Sequence, residues 1–123
     1  MAVASFGNVS IEAVGFDPYP SAAIPKLKGY SNQTLIWELP FERNDMLRAW
    51  LVFKSFFDMA TQANEVQGKA KQVAWVADSL SSMYSWFFQY QQELKEQNAS
   101  AEEQNGITTV LNDLTKMKSM LGL

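Results

Sequence analysis

Proline is confined to one end of this chain. Pro18, Pro20, Pro25 and Pro40 are all four of its prolines, and residues 41–123 carry none. Inside a helix proline costs about 3 kcal/mol, so its distribution separates a region that resists helix from one open to it. The open region carries a heptad-spaced apolar row, Val52, Met59, Val66, Val73, Leu80, Phe87 and Leu94. A companion row runs Ala49, Phe56, Ala63, Ala70, Ala77, Tyr84 and Gln91. Spacing that alternates three and four is the mark of a helical seam. Only Gly68 interrupts it, at about 1 kcal/mol relative to Ala. The unbroken register predicts one long helix over residues 44–97, in preference to two helices meeting near 64–68.

Asn44 and Asp45 suit the start of that helix, because short polar side chains accept from its unpaired N–H groups. A second helix is expected near the C-terminus, with Ile107, Val110, Leu111, Leu114, Met117, Met120 and Leu121 on one stripe. Ser100 and Glu103 have the spacing of a capping box; Asn105-Gly106 reads alternatively as a turn. Gly122 sits where a helix C′ residue belongs.

Before residue 44, two stretches alternate like strands. Val9, Ile11 and Ala13 alternate with Ser10 and Glu12, and Leu35, Trp37 and Leu39 with Ile36 and Glu38. They are expected to pair as a ribbon or to remain an extended arm. The predicted fold is thus mainly α: a long helix and a C-terminal helix forming a helical hairpin, preceded by an extended or β-ribbon arm. The boundaries are 1–43 for the arm and 44–123 for the hairpin.

On a helical wheel at about 100° per residue, the apolar side chains of residues 75–90 cover roughly 220°. Those of residues 46–60 cover more. A surface helix needs a stripe little wider than about 100°, so this helix must be covered from more than one direction. Leaving several large rings wet forfeits on the order of 10 kcal/mol, comparable to the whole stability of a domain. Self-association, or packing against other subunits of an assembly, is the expected cover, in preference to a self-sufficient monomer in which the C-terminal stripe and the N-terminal arm wrap the helix. The anchors would be Trp50, Phe53, Phe57, Trp75, Trp86, Phe88 and Tyr90, in a coiled-coil-like seam.

Chemistry narrows in parallel. The chain has no Cys and no His, which removes disulfides, thiolate and imidazole metal ligands, and triads built on either residue. No phosphate-binding glycine loop or EF-hand spacing occurs, and no cofactor or metal is expected. Glu93, Glu96, Glu102 and Glu103 read as a solvated surface. A net charge of −3, with no basic residue among the aromatics of 75–90, argues against direct reading of nucleic acid. The most apolar run, residues 46–60, holds Arg48, Lys54 and Asp58 and is too short for a membrane span. The N-terminus lacks the form of a Sec signal peptide.

In general plan the chain looks like small helical virion components of bacteriophages, and like subunits of type III secretion filaments, which use helical hairpins without Cys. The likeness is architectural and carries over no residue. It implies a non-enzymatic structural protein of a virion or an exported assembly. The virion is preferred because a proline-containing arm suits a clamp between subunits. The competing expectation is a small monomeric helical binding module, such as an inhibitor or chaperone.

Overall fold

A computed structural model describes residues 4–62 and 70–122, with the side chains of Phe6 and residues 70–75 outside the described set. The first third of the chain is a sheet. Strands β1 (Ala4–Phe6), β2 (Val9–Val14), β3 (Lys26–Ser31) and β4 (Thr34–Pro40) lie in sequence order, each antiparallel to the next. Helices α1 (Met46–Gln62), α2 (Ala70–Glu96) and α3 (Ala101–Met120) follow. The fold is therefore α+β, which corrects the expected mainly α hairpin with an extended or ribbon arm.

The two stretches with visible alternation are indeed strands, but they do not pair with each other. β3 lies between them. Its Leu27 and Gly29 face the core, while Lys26, Lys28 and Tyr30 alternate outward. On the outer face Lys26 and Lys28 approach Glu38 at 3.4 and 4.0 Å, and the Tyr30 hydroxyl donates to Glu12 at 3.3 Å. Asn32 and Gln33 join β3 to β4 with φ of 50° and 69°. Two left-handed residues in succession match the twist of a two-residue hairpin. The Asn32 N–H also donates to the Asn8 carbonyl at 3.0 Å, tying one turn of the sheet to another.

The helices do not form one rod. The Trp50 ring on α1 stands 6.0 Å from the Phe87 ring on α2. On a straight helix these residues would be about 55 Å apart. The chain thus reverses between α1 and α2, which overturns the single helix over 44–97. Gly68, Ala63 and Val66 lie outside the described residues. The two helices use the common register differently: Leu80, Phe87 and Leu94 are buried, whereas Val52 and Met59 are exposed.

α3 is capped by Ser100, whose hydroxyl accepts from the Glu103 N–H at 3.2 Å. It runs through Asn105-Gly106 and buries Ile107, Val110, Leu111, Leu114 and Met117. α3 packs along α2 and also touches α1, while α1 lies against β1 and β4. One apolar cluster results, joining Ile11, Leu27, Phe16 and Phe41 from the first third to Trp50, Phe53, Phe87 and Leu114 from the helices.

A single carboxylate links α1 to α3 in this core. The Trp50 Nε1–H donates to Asp113 Oδ2 at 2.9 Å, and Lys54 Nζ stands 3.5 Å from Oδ1. Asp113→Ala leaves a buried indole N–H without an acceptor and should cost about 1–2 kcal/mol. Asp113→Asn keeps an acceptor and should cost less. Urea denaturation of both variants checks this; equal losses would show that the indole bond is not what Asp113 contributes.

Candidate functional site

α1 has two apolar faces, and the fold covers one of them. Met46, Ala49, Trp50, Phe53, Phe57, Ala60 and Thr61 point into the core. The opposite arc carries Leu51, Val52 and Met59, which are 59%, 37% and 46% exposed; Leu47, 44% exposed, stands at its edge on the α3 side, over Gly106. Phe56 is half-buried beside them. Arg48, Leu51, Val52, Ser55, Phe56 and Met59 line a shallow groove of about 500 Å³ along this arc. Helical spacing alone brings them together, since residues three and four apart are neighbours on a helix surface. An ordinary amphipathic helix would place mainly polar residues here; on α1, Arg48 and Ser55 stand among Leu51, Val52, Phe56 and Met59. An exposed arc this rich in large apolar side chains marks a contact surface.

α2 builds a second, more polar feature where it meets the loop between β2 and β3. Trp86 is buried against Phe16 and Phe87, at 5.5 and 5.2 Å between ring centroids, and its Nε1–H donates to the Ser21 hydroxyl at 2.9 Å. Tyr90 stacks on Trp86 at 5.2 Å with the planes 10° apart. The Tyr19 hydroxyl donates to the Glu93 carboxylate, fastening the loop to α2. Burial, then that hydrogen bond, pushes the Tyr19 hydroxyl above the ordinary tyrosine range. Burial likewise raises Tyr90, with Arg43 opposing. These residues border an open cleft of about 670 Å³ that also takes in Pro20, Ile24 and Pro25. Arg43 lies at its edge and pairs with Glu103 at 3.1 Å, which raises the guanidinium pKa further. Tyr19 with Glu93, and Trp86 with Ser21, thus brace the loop against the helix. Among the described residues no cluster of three or more acidic side chains is placed to hold a metal ion.

The seven residues expected at an interface fall into distinct places. Trp50, Phe53, Phe57 and Trp86 are core residues, exposed by 1%, 0%, 0% and 6%. They are covered by this chain's own sheet, loop and helices, so they are corrected from contact anchors to core. Tyr90 is half-buried at the cleft. Phe88 is 46% exposed and stacks on Tyr84 with centroids 6.5 Å apart. Trp75 falls on α2, and its side chain lies outside the described residues. The outward residues Leu47, Leu51, Val52 and Met59 were not among the seven, although Val52 and Met59 stand in the heptad row. The missed signal is that this row and the Trp50–Phe53–Phe57 set occupy opposite sides of α1.

No helix among the described residues is long and apolar enough to cross a membrane. No protein-family model matches the chain, and neither a curated protein nor a solved structure matches it.

Proposed function

We propose that this chain is a non-enzymatic building block that assembles with copies of itself through the outer face of α1. The observation that supports the reading is the exposed row of Leu47, Leu51, Val52 and Met59 on a helix whose other face is already buried. The likeness to virion and secretion-filament subunits was one of general plan, a helical hairpin behind an extended arm, which the α+β fold replaces, so the proposal is stated at the level of contact chemistry. The row covers about three helical turns, or roughly 18 Å. Such a patch lies toward the lower end of specific interfaces, and association is expected on the order of micromolar to tens of micromolar.

Sedimentation across a concentration series tests it. The unaltered chain should gain mass as concentration rises through this range. Leu51→Glu, at the most exposed point of the row, should remain monomeric with unchanged helicity. A chain that stays monomeric at hundreds of micromolar overturns the proposal, and so does a Leu51→Glu variant that associates as before.

A further inference from the structure

Resting on that reading, we infer that two copies meet through α1 in antiparallel orientation about a two-fold axis, with Arg48 of each chain paired to Asp58 of the other. The inference comes from where charge sits on the outward arc. At about 100° per residue, Arg48 and Asp58 both share that arc with Leu51, Val52, Ser55 and Met59. Arg48 lies near one end of the row and Asp58 near the other, about 15 Å apart along the helix. Lys54 is engaged by Asp113 and Arg43 by Glu103. Arg48 and Asp58, by contrast, have no ion-pair partner among the described residues.

A face with a cation at one end and an anion at the other is complementary to itself only when reversed. Antiparallel copies place each Arg48 beside an Asp58, giving two charge pairs that flank an apolar middle. Parallel copies in register would set Arg48 against Arg48 and Asp58 against Asp58, like on like at both ends. The reversed register centres near residue 53. The axis then passes between the turns that carry Val52 and Ser55, and the small Ser55 side chain lets the helix backbones approach. Because a two-fold contact uses the same patch twice, every charge change acts at both ends of the interface. Antiparallel helices also place the positive end of each macrodipole beside the negative end of the other.

The chain contains no cysteine, so single introduced thiols report on this geometry without background. Leu47→Cys and Met59→Cys, mixed and treated with a short bis-maleimide, should give the mixed 47–59 dimer. Neither variant alone should cross-link efficiently, because its two thiols stand about 18 Å apart along the paired helices. Independently, Arg48→Glu and Asp58→Arg should each weaken association about tenfold, and the double variant should recover to within a few-fold of the unaltered chain. Circular dichroism confirms that the variants keep their helicity. Cross-linking of Leu47→Cys with itself would overturn the inference in favour of a parallel pair. A dimer that forms but shows no 47–59 product, and ignores both charge reversals, would place the contact elsewhere, as at the exposed edge of β4 or around Phe88. Either result sinks the antiparallel register and leaves self-assembly standing; a chain that never dimerises sinks both.

Discussion

Phe87→Ala should cost about 4 kcal/mol of stability, within the usual range for deleting a buried aromatic ring. Phe87 is wholly buried. Its ring lies 5.6 Å from Phe16, 5.8 Å from Phe41, 6.0 Å from Trp50 and 5.2 Å from Trp86. Those neighbours come from the loop after β2, the chain just past β4, α1 and α2 itself. Removing the ring therefore opens a cavity where sheet and helices meet, and rigid neighbours fill it poorly. Against a typical domain stability of about 5–15 kcal/mol, the loss is a large fraction, and the melting temperature should fall on the order of 10–20 °C. Phe88→Ala is the matched control. Phe88 is next in sequence but exposed and, among the described residues, in ring contact only with Tyr84, so it should cost less than about 1 kcal/mol. Denaturant titration of the two variants, with unchanged slopes, reads the difference. Similar losses for the two would mean that α2 presents a different side to the core.

The same pair of residues shows what sequence reasoning reaches and where it stops. The breadth of the apolar arcs on α1 and α2 was legible; the fold covers α2 with the loop after β2, α1 and α3, and leaves the outer arc of α1 exposed. What supplies the cover was not legible. Helical periodicity records which residues share a face, but it carries no sign of direction. A register that continues through Val66 and Val73 is therefore compatible with one rod or with two helices folded back on each other. Once the chain reverses, Phe87 can face Trp50, and the large rings become core. The sheet that closes over them was half visible. β2 and β4 show alternation in Ile11 and Leu39, but β3 hides it behind Lys26, Lys28 and a glycine. The turn before β4 is Asn32-Gln33 rather than the Asn-Gly pair that announces a hairpin. The N-cap at Ser100 and most of the stripe on α3 were read directly, because caps and single-face stripes are local; Glu103, however, gives its carboxylate to Arg43 instead of closing the box, and Met120 faces out. As to the candidate surface, the expectation favoured the largest side chains. Those gain most from burial, so the fold took Trp50, Phe53 and Phe57 inside and left smaller aliphatic residues facing out.

The glycine that hid β3 supplies the second large effect. Gly29 pairs with Trp37 across β3 and β4, and the Trp37 indole occupies the space where a side chain at position 29 would stand. A Cβ at position 29 would stand 2.0 Å from Trp37 Cε2 and 2.3 Å from Nε1. The obstacle is the body of a fused ring, so no small torsion of a side-chain tip relieves it. Either the indole leaves its place on the sheet or the strands separate. Gly29→Ala should accordingly cost about 3 kcal/mol, at the upper end for overpacking. The sign depends on the partner. In a strand interior glycine is itself unfavourable by roughly 0.5–1 kcal/mol relative to alanine. Once Trp37 is replaced by alanine, the ring that the added methyl would strike is gone, and Gly29→Ala should become neutral or slightly stabilising. The coupling between the two positions, measured as a double-mutant cycle by denaturant titration, should therefore be on the order of 3 kcal/mol. A cost for Gly29→Ala that persists undiminished in the Trp37→Ala background would mean that the close approach of the indole is not what requires glycine at this position.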